Sequence, residues 1–262
     1  MEKPSVSASQ LNLLLVALSF FTRIPVPKWV DYGDDNLNRA SRYFGMVGLL
    51  VGALSALVFY LAQLVLPIGV AVMLSMIASV LITGGFHEDG LADTADGFGG
   101  GWTLEDKLNI MKDSRLGTYG VLALVLILAL KWQLLIELAL YSPWVACSAL
   151  VVAHTLSRVL ASSMIFTESY VQDIDVSKVK PLANEQHIND LMILLLTGLA
   201  VLFCLPSVAG FSLLVGLYIL RQLLCFGFNR QIGGYTGDTL GASQQVAEIV
   251  CYMILLAVGF NS

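Results

Sequence analysis

Four carboxylates, Glu88, Asp89, Asp93 and Asp96, fall within nine residues of the run HEDGLADTADGFGGG, residues 87–101. At 100° per residue, Asp89, Asp93 and Asp96 lie within about 60° of one another on a helix and form a single acidic stripe. Like charges on one face repel, and Gly90 and Gly97 weaken the helix further. A stripe of this kind, directly after a long apolar run, points to a bound cation. Oxygen ligands with no Cys partner favour Mg²⁺, Mn²⁺ or Ca²⁺ over zinc. The chemistry that fits is phosphoryl or phosphodiester transfer. Divalent ions neutralise a diphosphate and polarise the leaving group, while a free carboxylate takes the proton of an attacking hydroxyl. The plain alternative, a solvated loop with Asp-Gly turns, does not account for four acids in so tight a run. Residues 99–101, three glycines, would let backbone approach a bulky ligand, although glycines are as common in plain turns.

Three other groups of residues could meet such a substrate. Lys112 and Arg115, in KDSRLGTYG, can hold phosphate oxygens, Arg115 bidentately, or serve only as a positive anchor. In GGYTGDTLGA, residues 233–242, glycine frees backbone amides before a helix N-terminus, and Asp238 is a further metal ligand or else only an N-cap. Asn229 and Arg230 lie just before this run. His154 and Arg158 are four apart and share a helix face; an Arg near mid-bilayer costs about 2.5–3.5 kcal/mol unless it faces the bundle interior or a wet cleft. Lys131 and Glu137 read as structural, and His87 as a lone histidine at a span end.

The elements that position these residues follow from composition. Of 262 residues, 57 % are hydrophobic and 13 % charged, against about 45–50 % and 25 % in soluble domains, so the chain reads as a polytopic membrane protein. The expected fold is all-α, a membrane helix bundle of about seven spans plus an N-terminal interfacial or re-entrant segment, with residues 1–262 forming one integral membrane domain. Spans are expected at 43–66, 68–86, 117–140, 143–166, at 191–220 divided by Pro206, and at 244–260. Residues 11–21 are too short to cross, and the Thr-Arg-Ile-Pro that follows is no signal-peptide cleavage site, which makes this segment part of the mature protein. Thr103 and Asp106 form a capping box for a short helix whose Leu104, Leu108 and Met111 face would lie on the membrane surface. Residues 221–243 read as a last Gly-rich loop. Net charge is −5, which gives no sign of nucleic-acid binding. The four cysteines are scattered singly and suggest neither zinc nor a disulfide framework.

Basic residues sort the connections. Arg23, Lys28, Arg39 and Arg42, then Lys107, Lys112 and Arg115, then Lys178 and Lys180, then Arg221 and Arg230 occupy four polar segments, whereas the turns near Pro67, Ser142 and Pro206 carry none. The positive-inside rule puts all four segments in the cytoplasm, where they can build one site.

Four ordered runs, LLVALSFFTRIPVP, FHEDGLADTADGFGG, KDSRLGTYG and GGYTGDTLGA, together resemble the signature of the cobalamin-5′-phosphate synthase family, the adenosylcobinamide-GDP ribazoletransferases. The resemblance implies transfer of the adenosylcobinamide-phosphate half of adenosylcobinamide-GDP to α-ribazole or α-ribazole 5′-phosphate, with release of GMP. It also implies Mg²⁺ as cofactor and the lipid bilayer of the bacterial cytoplasmic (inner) membrane as location, with the active site facing the cytoplasm. Oligomeric state, a homo-oligomer included, stays open. By that resemblance Asp89, Asp93 and Asp96 would hold metal together with a less secure Glu88, and one of the three aspartates, Asp96 first, would also act as base. Lys112, Arg115 and Arg230 would hold phosphate, and Asp238 would complete the metal shell or orient ribazole. A CDP-alcohol phosphotransferase would want an Ala-Arg pair in the acidic run, where Ala92 is followed by Asp93. A cation transporter would want acids inside spans, where Glu137 alone is clearly mid-span.

Overall fold

The computed structural model describes residues 9–171 and 186–259. Lys178 and Lys180, used above for orientation, lie outside them. The described chain is helical: α1 (Gln10–Phe21), α2 (Asp34–Ala40) with a 3-10 turn at Ser41–Tyr43, α3 (Phe44–Gln63), α4 (Ile68–Thr83), α5 (Phe86–Gly100), α6 (Leu104–Lys112), α7 (Thr118–Tyr141), α8 (Pro143–Thr167), α9 (Ile188–Phe203), α10 (Ser207–Ile232) and α11 (Gly237–Gly259).

Five stretches are long and apolar enough to cross a membrane: Asp35–Gln63, which carries α3, and α7, α8, α10 and α11. The pair α4 and α5 makes a sixth when taken together, but it bends by 88° at Gly84-Gly85. At 1.5 Å per residue, α4 and α9, with 16 residues each, reach about 24 Å, short of a hydrocarbon core of about 30 Å. The expected seven crossings are therefore five full-length spans and two short apolar helices.

α8 is the central post. From Val152 to Ile165 every residue is buried, polar ones such as His154, Ser157 and Arg158 included, because the helix is surrounded. α3 lies against it through Gly48 and Gly52. A Cβ on Gly52 would sit 2.7 Å from Val151 Cα, and one on Gly48 would strike the His154 carbonyl. This is the small-residue contact that lets two membrane helices touch backbone to backbone. α7 and α10 are peripheral and turn Leu122, Leu126, Phe211 and Phe226 outward, the surface a bilayer would cover.

Every span end that carries a sequence motif lies at one end of the bundle. There, two left-handed glycines, Gly84 (φ 69°) and Gly85 (φ 73°), turn the chain from α4 into α5. Positive φ suits glycine because no Cβ meets the backbone. α5 thus runs crosswise over the end of the bundle, outside the spanning segments, as a helix and not as the opening of a loop. α6 keeps its Thr103–Asp106 capping box, but Leu108 and Met111 are buried beneath α5, with Met111 against Gly97. Two of the three residues of that face therefore pack on protein, while Leu104 stays exposed. Residues 221–232, expected in a loop, continue α10, and α11 begins at Gly237, so the last polar connection shrinks to four residues, 233–236. α1 packs on the bundle through Leu13, Val16 and Ala17. Phe21 at its end stacks on His87 with ring centroids 5.6 Å apart.

Candidate active site

The acidic helix and the C-terminal glycine-rich run meet where α5 crosses α11. A Cβ on Gly90 would lie 2.8 Å from the Asp238 carbonyl oxygen and 3.1 Å from its Cα, and one on Gly241 3.3 Å from Gly90 Cα. Only glycine at residue 90 lets the helices approach this closely. The crossing sets Asp238 beside the Asp89–Asp93 face of α5. α11 is capped by Thr236, whose Oγ1 accepts from the Thr239 amide (3.3 Å) while Thr239 Oγ1 accepts from the Thr236 amide (2.8 Å). The N-cap is therefore Thr236 and not Asp238.

The carboxylates act on one another. Partial burial, and then the charges of Asp238, Asp89 and Asp96, push the Asp93 carboxyl up to about 7. Such mutual repulsion stabilises a proton or a cation held among the acids. Asp89 is exposed and makes no side-chain hydrogen bond or ion pair among the described residues. No three His, Cys, Asp or Glu side chains among those residues form a ready metal-binding group. The donor set nonetheless fits a hard ion of the Mg²⁺ type, which keeps several waters and is bound through one or two carboxylates plus substrate phosphates.

Asp96 has a second task that spacing could not reveal. Its two oxygens accept the backbone amides of Gly117 (2.7 Å) and Gly120 (2.8 Å), so it pins the start of α7 to α5. Gly117 and Gly120 are needed there, since a Cβ on either would collide with the carboxylate. Asp96 is thus buried with both oxygens engaged by backbone. Glu88 turns away from the stripe: its Oε1 accepts from Gln245 Nε2 at 3.0 Å, and its charge acts on Arg158.

His154 and Arg158 do share a face, but that face is enclosed in the bundle. Arg158 Nη1 donates to the His154 carbonyl at 2.9 Å, and His154 Nε2 stands 3.5 Å from Glu248 Oε1. Glu248, fully buried on α11, pairs with Lys131 of α7 at 2.5 Å. It also accepts from Tyr252 Oη and Gln244 Nε2, both at 2.8 Å. This network under α5 is the buried partnership that Lys131 required. Among the described residues Glu137 meets only Gln133, one turn away. His87 is buried against Phe21, and burial, with the Arg158 charge, depresses its imidazole well below the ordinary value.

The basic candidates stand around the rim. Lys112 closes α6. Arg115 is exposed and chelates Asp113 through Nε at 2.9 and 3.0 Å. Asn229 donates to Glu168 at the end of α8 (2.5 Å), and Arg230 is exposed on the last turn of α10. Arg115 and Asn229 thus turn to Asp113 and Glu168 rather than to the acidic stripe. Residues 99–101 serve packing: Gly99 faces the Tyr119 ring and Gly101 the Lys107 backbone.

On the other flank of Asp89, a pocket of 410 Å³ opens between the end of α1 and the elbow, lined by Ser19, Phe20, Thr22, Arg23, Thr83, Gly84, Gly85, Phe86 and Asp89. Sequence reading used Arg23 only to orient the chain. Its place beside Asp89 depends on the elbow, which no local pattern disclosed.

No solved structure matches the chain. The family model described as Cobalamin-5-phosphate synthase matches residues 13–256. Proteins named adenosylcobinamide-GDP ribazoletransferase are similar over nearly their whole length. That of Shewanella frigidimarina is 65 % identical over 252 residues, 96 % of this chain and 97 % of the relative. That of Shewanella oneidensis is 64 % identical over 250 residues, 95 % of each, and that of Shewanella sp. strain ANA-3 is 66 % identical over the same share of both. The matched stretch contains all of α5, the Gly90–Gly241 crossing and the Thr236-capped start of α11, and with them the chain belongs to the cobalamin-5-phosphate synthase family.

Proposed function

We propose that this protein transfers the adenosylcobinamide-phosphate moiety of adenosylcobinamide-GDP to α-ribazole or α-ribazole 5′-phosphate and releases GMP. The reaction would run at a Mg²⁺-dependent site on the cytoplasmic side of the bacterial inner membrane. One observation carries the site assignment: Gly90 and Gly241 bring Asp238 against the Asp89–Asp93 stripe, so acids distant in sequence share one charge environment. Family membership supports the substrates. The orientation is supported by the gathering of Arg23, Arg42, Lys107, Lys112, Arg115 and Arg230 at the end of the bundle that carries α5, while the turns at 64–67, 142 and 204–206 have no basic residue.

In this reading Asp89 and Asp238 hold the Mg²⁺, with Asp93 beside them. Mg²⁺, when bound, supplies charge neutralisation of the diphosphate and of the departing GMP. A ribazole hydroxyl oxygen forms the new bond to the corrinoid-side phosphorus. The bond from that phosphorus to the bridging oxygen breaks, and GMP leaves with the electron pair. Asp93, whose carboxyl is pushed up to about 7, accepts the hydroxyl proton. Asp96 keeps α7, and with it Arg115, in register. Glu88 and Gln245 hold the floor of α5 on α11.

The test is GMP release by purified protein given adenosylcobinamide-GDP, α-ribazole and Mg²⁺. Release is expected only when all three are present, and Asp89→Asn and Asp93→Asn should each abolish it without loss of folded protein. Full turnover in both variants would overturn the site.

A further inference from the structure

We infer that Arg23 is a phosphate-binding residue of this site, gripping an anionic phosphoryl group that lies in the elbow pocket next to Asp89. The inference rests on the reaction proposed above and extends it to a side chain that neither the acidic stripe nor the glycine-rich runs contain.

Arg23 is prepared for a ligand in three ways. Its backbone is fixed: the Arg23 amide donates to the Ile82 carbonyl at 2.7 Å. Thr22 braces the same turn, donating to the Leu18 carbonyl (2.7 Å) and accepting from the Ile24 amide (3.2 Å). Its guanidinium rests on the bare face of Gly84, where a Cβ would collide with Nε and come within 3.1 Å of Cζ and Nη2. Finally, the guanidinium has no hydrogen-bond or ion-pair partner among the described residues, although Asp89 lines the same pocket. An arginine that merely anchors a loop needs no shelf of glycine. A guanidinium set edge-on, Nε first, against the bare Cα of Gly84, and lining a 410 Å³ pocket together with Asp89, a carboxylate suited to Mg²⁺, keeps its terminal nitrogens for phosphate recognition. A phosphoryl group there would touch the Asp89-bound cation on one side and Arg23 on the other.

Phosphate could reach this pocket from the substrate diphosphate or from a lipid headgroup, and the experiment separates the two. Full-length protein in an uncharged detergent is titrated calorimetrically with inorganic pyrophosphate in Mg²⁺. Arg23→Gln should weaken binding about ten- to hundredfold, the range for a lost charge-assisted contact. Arg23→Lys should recover part of it, and Lys28→Gln, in the same loop but outside the pocket, should stay within twofold. Affinity unchanged in Arg23→Gln, or an equal loss in Lys28→Gln, overturns the inference. So does native mass spectrometry in which Arg23→Gln sheds a bound phospholipid while pyrophosphate affinity holds. Should Arg23→Gln fail to fold, Ser19→Cys takes its place: pyrophosphate with Mg²⁺ should slow alkylation at residue 19 at least about fivefold, the protection a contact of this strength gives, and no slowing refutes it. If wild-type protein binds pyrophosphate through Arg23 but releases no GMP from adenosylcobinamide-GDP, the proposed reaction falls and the phosphate site stands. Turnover without Arg23-dependent binding has the opposite meaning.

Discussion

Gly90→Ala tests whether the α5–α11 crossing makes the site. The new methyl would stand 2.8, 3.1 and 3.3 Å from the carbonyl oxygen, Cα and carbonyl carbon of Asp238. All three are backbone atoms, so no rotamer change relieves the clash. Reaching an ordinary contact of about 3.5 Å requires α11 to withdraw by about 0.7 Å. Overpacking of this kind costs about 1–3 kcal/mol of stability. Because a 1 Å displacement of reacting groups costs about a hundredfold, GMP release should fall ten- to a hundredfold while the protein still folds. Gly241→Ala is the graded comparison. Its methyl meets Gly90 Cα and His87 at 3.3–3.5 Å, close to normal contact, so the loss should be no more than a few-fold. Gly227→Ala, with nothing within 4 Å, should gain about 0.5–1 kcal/mol from helix propensity and leave turnover unchanged. The assay is initial GMP release beside thermal unfolding in detergent. Wild-type turnover in Gly90→Ala, or a larger defect in Gly241→Ala than in Gly90→Ala, would refute the claim that this crossing positions the acids.

Four further outcomes follow from the same geometry. The Asp93 carboxyl lies near 7 in the folded protein against 3.8 for an unperturbed aspartate. The folded state therefore holds the extra proton between those values, and metal-free protein should lose stability as pH rises from about 4 through 7; Asp93→Asn or saturating Mg²⁺ should flatten that slope in pH-resolved melting curves. Asp96→Asn should lower stability by about 1–3 kcal/mol because the amides of Gly117 and Gly120 lose an ionised acceptor, whereas Asp89→Asn should leave the melting point within a degree or two. Glu248→Gln strands buried Lys131 and should cost about 3–5 kcal/mol, much of it regained when Lys131→Met is added, read by denaturation of single and double variants. In intact cells a membrane-impermeant thiol reagent should label exposed Cys204, at the far end of the bundle, and spare a cysteine introduced at exposed Ser114; the reverse pattern would invert the proposed orientation.

How legible the site was depended on the range of the interaction that builds it. The stripe Asp89-Asp93-Asp96 follows from helical period alone, and the two spans around Pro206 from length and proline, so both were readable. The elbow was not. Gly84 and Gly85 look like any helix terminus, and the course of α5 across the bundle is set by long-range packing, such as that of Phe21 and Phe86 around His87. Asp96 could be placed on the correct face yet not given its role, because its partners, Gly117 and Gly120, are over twenty residues away and donate through backbone that looks the same at every position. Lys131 announced a need for a partner by lying in an apolar helix, but several acids could have met it, and the depth that matches it to Glu248 is set by the tilt of α7 against α11. Arg42 was read only as a positive-inside marker, although it is buried and donates to Asp190 at 2.6 Å, tying α9 to the start of α3.

The crosswise course of α5 explains why the acids sit on a helix rather than in a loop. For the proposed reaction, carboxylates holding a divalent ion would have to keep their spacing while a large substrate enters and leaves, and a glycine-rich loop would surrender that spacing. A helix alone would not suffice, since four acids on glycine-weakened turns repel one another. The structure offsets this by making the remaining positions of α5, the end of the stripe included, adhesive. Gly90 fits against α11, Gly97 against α6, His87 against Phe21, and Asp96 reaches down to α7. Each of these contacts consumes a position that is not Asp89 or Asp93, which are left facing Asp238 and the elbow pocket. The glycines of the acidic run therefore do not loosen the site; they let backbone take the place of side chains, so that the repelling acids are held by packing and not by their own helix.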